Sequence, residues 1–406
     1  MRPQFGLQGS VMGWNDPWLD PKDGAFRRTG EGMDFPSQDP TPSADRLVRL
    51  LEREGADFFL YHPPPVDGAI GAFLDSMSRS DLAFLLGNEV GCINVHTAPG
   101  TNRWDLPEPA VRAALKTCRC LGLVYDETEH LQLHPGQYAG RDDLFQWSDP
   151  NGLSLEDAEA SIAAAVRRRI ETLEGMGEIP AYGEHVFPVM THVMARGGMN
   201  PCPKILKEAF TPITLAIAQG AARQYGKRLG ICVDLWGFDT GPWFTRLWGF
   251  PAHSPAEFGS ALACAWHQAT DLAFVENIDP LYRFDGQDFH PTEFALEWSR
   301  FVTGCRPDLP YHHRDASCRT AVIRSDDGVM SDRGTFRSRG PFGSDTLPVT
   351  PETCSFFQVM DHLAHGTGSP RSLTWFQSDR PSRWSAGQYP RTAETLARLP
   401  LPHGVE

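Results

Sequence analysis

The stretch SPAEFGSALACAWHQATDLAFVEN, residues 254–277, holds one complete helix-to-strand unit, and its reading decides the fold. Ser254 is an N-cap, Pro255 suits the first helical position, and Glu257 completes the spacing of a capping box. A helical pattern follows over residues 255–269. The apolar run 272–275 then has the length and composition of a strand buried on both faces of a parallel sheet. It runs directly into Glu276 and Asn277, so an ionisable group stands at the C-terminal end of an otherwise apolar strand.

The same alternation repeats outward from this unit. Strand-like runs fall at 5–12, 57–62, 82–87, 121–125, 186–193, 229–233, 272–275 and 320–324. Helical periods fall at 44–53, 108–120, 155–175, 203–225, 255–269 and 291–302. Eight strands alternating with helices predict a (β/α)8 TIM barrel of class α/β, with long loops on its C-terminal face. A single catalytic domain is expected over residues 1–406, its long strand-eight loop and closing helix covering about 325–406. No G-x-G-x-x-G follows the first strand, which disfavours an open nucleotide-binding sheet.

Composition narrows the function. The 406 residues are 41% hydrophobic and carry a formal net charge of −14, so the chain can bury a large core and lacks the basic surface that nucleic-acid binding needs. No apolar run approaches the roughly 18 residues of a membrane span, and residues 1–9 contain no secretory core segment. Nine cysteines, scattered and odd in number, suit reduced thiols. A cytoplasmic enzyme with a small-molecule partner and no nucleic-acid or membrane partner is the expectation; the oligomeric state is left open.

In a barrel of this kind the reacting groups stand at the C-terminal strand ends. Those positions are strongly acidic here: Asn88-Glu89, Asp126-Glu127 with Glu129 close behind, Asp234, Glu276-Asn277 and Asp326-Asp327. Capping explains one carboxylate at a strand end, but not so many. Glycosidic hydrolysis needs one carboxylic acid to protonate the leaving oxygen and one carboxylate to attack, or to activate water, from the opposite face. Glu127 and Glu276 are the candidate catalytic pair. Trp14, Asn88, Glu89, Asp126, Asp234, Trp236, Asn277 and Asp326 are the candidate substrate-binding residues, with Trp236 expected on the same side of an extended segment as Asp234. No metal or other cofactor is required by this reading.

The motifs Val124-Tyr125-Asp126-Glu127 and Phe274-Val275-Glu276-Asn277 resemble those of the clan of retaining (β/α)8 glycoside hydrolases. In that clan a Glu ending strand four is the acid/base and a Glu ending strand seven is the nucleophile. The resemblance covers about residues 5–330, and it implies those roles for Glu127 and Glu276. One departure is the Asp126 that stands where the clan usually has Asn. The Asn-Glu pair present here, Asn88-Glu89, follows the third strand and makes Glu89 the alternative acid/base. Like-charge crowding by Asp126 and Glu129 should make Glu127 the protonated member of the pair.

Two other classes stay open. His130, His134, His185 and His192, with Glu129 and Glu184, suit a divalent-metal-dependent sugar isomerase or epimerase of the xylose-isomerase barrel type. A non-catalytic carbohydrate-binding barrel is the third reading. G-x-S-x-G and H-E-x-x-H are both absent, which removes serine-elbow acyl chemistry and zincin chemistry.

Overall fold

The computed structural model describes residues 2–10, 14, 16–18, 29–30, 33–34, 40–63, 69–88, 106–133, 147–186, 189–206, 211–235, 254–269, 271–306 and 340–348. Eight parallel strands form the barrel: β1 (Gln4–Gln8), β2 (Phe58–Tyr61), β3 (Ala83–Gly87), β4 (Cys120–Tyr125), β5 (Ala181–His185), β6 (Asn200–Ile205), β7 (Gly230–Asp234) and β8 (Leu272–Glu276). Each pairs with the next, and β8 pairs with β1, so the sheet closes. The chain is therefore a TIM barrel, as its alternation predicts.

A helix follows every strand. These are α1 (Ala44–Arg53), α2 (Ala69–Ser78), α3 (Glu108–Leu115), α4 (Thr128–Leu133) with α5 (Leu155–Glu174), α6 (Thr191–Gly197), α7 (Thr211–Tyr225), α8 (Pro255–Gln268) and α9 (Glu293–Arg300). Among the described residues no helix is long and apolar enough to cross a membrane. The capping box at α8 forms as its residues dictate: Ser254 Oγ accepts from the Glu257 N–H, and Glu257 Oε2 accepts from the Ser254 N–H.

Strand alternation divides the apolar residues into two cores. Phe58, Leu60, Leu85, Val124, Tyr182, Cys202, Cys232, Leu272 and Phe274 pack together inside the barrel. Their neighbours Phe59, Phe84, Leu123, Ile231 and Val275 join the larger core between sheet and helices. Trp266 of α8 belongs to that outer core, where it meets Phe5 and Phe301.

The strand count needs correction in its second half. The apolar run 186–193, expected as strand five, leaves the barrel after Val186 and enters α6 at Thr191. The true fifth strand lies just before it and ends in the polar pair Glu184-His185. The sixth, Asn-Pro-Cys-Pro-Lys-Ile, falls partly where a helix is expected from 203. Consequently the runs at 229–233 and 272–275 are strands seven and eight, and the barrel closes without a strand at 320–324, which lies outside the described residues.

Closure depends on a close approach between β1 and β2. A Cβ added at Gly6 would stand 2.6 Å from the Phe58 carbonyl oxygen, a backbone atom with little freedom to move. Gly6→Ala should therefore destabilise the barrel by about 3 kcal/mol in urea unfolding, as overpacking at an unyielding site does. An unchanged midpoint would contradict so tight a closure.

Candidate active site

On five strands the inward-facing apolar layer is followed, two residues further along, by a polar layer. Val124 leads to Asp126, Tyr182 to Glu184, Cys202 to Lys204, Cys232 to Asp234 and Phe274 to Glu276. All five of these polar residues are buried. The Lys204 ammonium stands in their midst, with Nζ at 2.7 Å from Glu276 Oε2, 3.0 Å from Glu184 Oε2 and 3.1 Å from Asp126 Oδ1. Glu127 Oε1 at 3.4 Å and Asp234 Oδ2 at 3.6 Å complete the ring. An ammonium has three N–H donors, and its three shortest contacts run to three different strand ends.

Strands β4 and β8 lie opposite each other in the closed order, and β6 lies midway between them. Glu127 and Glu276 thus face one another across the lysine. Laid end to end, the two contacts to Nζ put Glu127 Oε1 and Glu276 Oε2 within about 6 Å, a bound that includes the roughly 5–5.5 Å of a double-displacement pair.

Charge in this ring is strongly coupled. Burial by itself depresses an ammonium, but Asp126, Glu184, Glu276 and Glu127 together outweigh it and hold Lys204 well above the usual lysine range. A Schiff-base lysine needs the opposite shift, so imine chemistry at Lys204 is disfavoured. Burial is the largest influence raising Glu184 well above the usual carboxylate range; Asp126 and Glu276 add to it, and Lys204 opposes it. Burial, reinforced by the carboxylates, also raises the Cys202 and Cys232 thiols, and Cys232 Sγ donates to Glu276 Oε2 at 3.5 Å.

The backbone leaves this ring through unusual conformations. Glu127 (φ 43°), Leu206 (φ 75°) and Asn277 (φ 70°) follow β4, β6 and β8 in the left-handed region, which non-glycine residues enter at a cost of about 1–3 kcal/mol each. Such strain concentrates at working sites. Asn88, which follows β3, braces the opposite side: its Oδ1 accepts the Asp126 N–H at 2.7 Å, and its carbonyl meets His62 Nδ1 at 2.5 Å.

The expected residues fall into three groups. Glu127, Glu276, Asp126 and Asp234 converge on Lys204, with Asn88 behind Asp126 and Asn277 next to Glu276. Trp14 lies in the apolar core, edge-on to Phe289, with Trp18 nearby against Tyr61 and Phe73. Glu89, Trp236 and Asp326 lie outside the described residues. One position is corrected: Glu276 ends strand eight, and the end of strand seven belongs to Asp234.

The histidines expected around a metal stand apart from this ring where they are described. His185 pairs with Glu129 at 3.2 Å, whose other oxygen accepts the Val186 N–H, and His192 packs against Tyr225. Glu184, Cys232 and Glu276 present ligand atoms within 4.8 Å of one another, the one grouping among the described residues that suits a cation. Lys204 already contacts the Glu184 and Glu276 carboxylates of that group.

Lys204 and Gln8 are left unassigned by sequence reasoning, and Glu184 is assigned there only to the alternative metal site. The available signal is the repeated pattern of an apolar residue, any residue, then a charged one, which 202–204 shares with 232–234 and 274–276. Gln8 and Asn277 end β1 and follow β8. Gln8 Oε1 and both polar side-chain atoms of Asn277 are buried without a hydrogen-bond partner among the described residues.

No protein-family model matches the sequence, and no curated protein matches it. Among solved structures the chain is similar to a GH5 family glycoside hydrolase from Streptomyces cattleya in complex with Manb1-4GlcNAc, with 14% identity, TM-score 0.47, and 90% of this chain and 92% of that one covered. It is also similar to 3-keto-D-glucoside 4-epimerase from E. coli, with 12% identity, TM-score 0.37, and coverage of 74% and 99%. A third likeness is to the HpcH/HpaI aldolase of Desulfitobacterium hafniense DCB-2, with 10% identity, TM-score 0.34, and coverage of 76% and 94%. At these scores the likenesses carry no argument about the reaction, and the closed barrel stands on its own hydrogen-bonding pattern.

The raised Glu184 carboxyl links stability to pH. The folded state binds this proton more tightly than the unfolded state does. Its stabilisation is therefore complete below the usual value of 4.5 and is lost as pH rises through the raised value. Glu184→Gln, a permanently neutral isostere, should gain in Tm relative to the native chain as pH climbs from 4.5 through the raised value. A Tm difference that stays constant with pH would contradict this assignment.

Proposed function

We propose that the chain is a glycoside hydrolase that cleaves its substrate by double displacement, with Glu276 as nucleophile and Glu127 as acid/base. The observation that carries this reading is the approach of these two carboxylates to one another across Lys204, within about 6 Å, from opposite sides of the barrel. Glu276 attacks the anomeric carbon while Glu127 protonates the departing oxygen. Glu127 then takes a proton from water, which releases the sugar from Glu276.

The rest of the ring has a part in the same chemistry. Lys204 hydrogen-bonds Glu276 as a cation, which favours the carboxylate both as attacking group and as leaving group. Asp126, tied by its backbone to Asn88, continues into Glu127. Gln8 Oε1 and the Asn277 amide, without partners among the described residues, suit a polyhydroxylated ligand, because a buried polar group without a partner costs about 1–3 kcal/mol that a sugar hydroxyl would recover. Glu89, Trp236 and Asp326 remain proposed substrate contacts.

Substitution kinetics test the assignment. Glu276→Gln should lose at least about 10⁴-fold in kcat on every substrate, since no other group forms the glycosyl ester. Glu127→Gln should lose about 10²–10⁴-fold on a natural glycoside, yet keep the first step on an aryl glycoside whose leaving group needs no proton. Should Asp234→Asn abolish turnover while Glu276→Gln retains it, the nucleophile is at the end of β7. Retention of natural-substrate turnover by Glu127→Gln, with loss in Glu89→Gln, would move the acid/base to β3.

Removal of metal separates this reading from isomerase chemistry. Activity should survive exhaustive EDTA treatment, because two-carboxylate hydrolysis draws on no Lewis acid. Loss of activity that Mg2+ or Mn2+ restores would overturn the hydrolase reading in favour of a metal-dependent isomerase or epimerase.

A further inference from the structure

Lys204 has a place in the ring that a structural salt bridge does not require. A buried ion pair is balanced by one partner, and extra carboxylates beside it raise its energy. Here one ammonium lies within 3.6 Å of five carboxylates drawn from four strand ends: Asp126 and Glu127 after β4, Glu184 on β5, Asp234 on β7 and Glu276 on β8. Oxygens that converge on one point from several strands are how a barrel holds a divalent cation. The atoms of Glu184, Cys232 and Glu276 meet the spacing such an ion needs.

We propose that Lys204 is a built-in cation: its ammonium takes the position a divalent metal would otherwise hold among Glu184, Cys232 and Glu276, and it orients Glu276 for attack. The proposal deepens the hydrolase reading, on which its activity arm rests; its metal-binding arm is independent of that reading. A lysine and a divalent ion exclude one another here. Both would need the same Glu184 and Glu276 oxygens, and a 2+ charge beside a buried ammonium is strongly unfavourable.

Three features of the geometry favour a cation that serves chemistry. The shortest Nζ contact, 2.7 Å, goes to Glu276. Glu276 also accepts from the Cys232 thiol, so the side chain is aimed by two donors from two neighbouring strands. Lys204 stands midway between β4 and β8, where one cation reaches both the attacking and the protonating carboxylate. It acts through Glu276 and is a positioning residue.

The test combines Mn2+ titration, followed by electron paramagnetic resonance, with kinetics on the intact chain. The native chain should bind no Mn2+ in a manner that Glu184→Gln abolishes, whereas Lys204→Met should gain one Mn2+ that the double variant Lys204→Met/Glu184→Gln lacks. In kinetics Lys204→Met should lose about 10²-fold or more in kcat with KM changed only a fewfold. Methylammonium should restore part of the activity of Lys204→Ala.

A merely structural lysine would lower the amount of folded enzyme and leave kcat per folded molecule in place, so an unchanged kcat in Lys204→Met overturns the proposal. Binding of Mn2+ by the native chain through Glu184 overturns it whether or not any lysine variant folds. Absence of glycosidase activity together with a Glu184-dependent Mn2+ site only in Lys204→Met would instead sink the hydrolase reading and leave the built-in cation standing.

Discussion

One buried ammonium among five buried carboxylates is the interaction on which the C-terminal end of this barrel depends. All six groups are buried, so each depends on the others for compensation. Removing the cation would leave an uncompensated cluster of negative charge, the kind of change that costs about 3–5 kcal/mol when a buried pair is broken. Removing one carboxylate relieves crowding. The ring is thus asymmetric in its tolerance, and a lone positive charge is its critical member.

The barrel makes this arrangement by register. Parallel register sets Asp234 of β7 opposite Glu276 of β8, while Lys204 of β6 stands opposite Cys232 of β7 and Glu184 of β5 opposite Cys202 of β6, so the long lysine side chain spans the stagger between strands to reach the carboxylates. Tyr182, Cys202, Cys232 and Phe274 fill the layer beneath with apolar atoms. This floor keeps water from the underside of the charged layer, which strengthens every interaction above it. Left-handed residues then turn the chain outward from β4, β6 and β8, carrying Glu127 and Asn277 with them.

Much of this was legible in the sequence, and the failures have physical causes. The second to fourth strands read correctly because their apolar runs stop where the chain leaves the barrel, the first was placed correctly but carried past its end at Gln8, and the capped helix α8 fixed the direction of the unit that ends in Glu276. Reading failed at β5 and β6 because both strands end in site residues. Glu184 and His185 truncate the apolar signal of β5, whereas the run that follows is apolar because α6 is buried. In β6, Pro201 and Pro203 remove two ladder donors and imitate a loop, and Lys204 has the appearance of a surface residue. The missed strand shifted every later number by one, so Glu276 was expected at strand seven. Trp14 misled for another reason: a loop position does not prevent it from folding back into the core.

The central claim is that Glu276, held by Lys204, forms the bond to the sugar. Peptide mapping by mass spectrometry after incubation with a panel of activated 2-deoxy-2-fluoro glycosides tests it most directly, because these substrates stall at the glycosyl-enzyme stage. The account predicts a single hexosyl adduct on the peptide that contains Glu276, formed equally in the presence of EDTA. An adduct on Asp234, or turnover of the same glycosides without an adduct on any carboxylate of the ring, would contradict it.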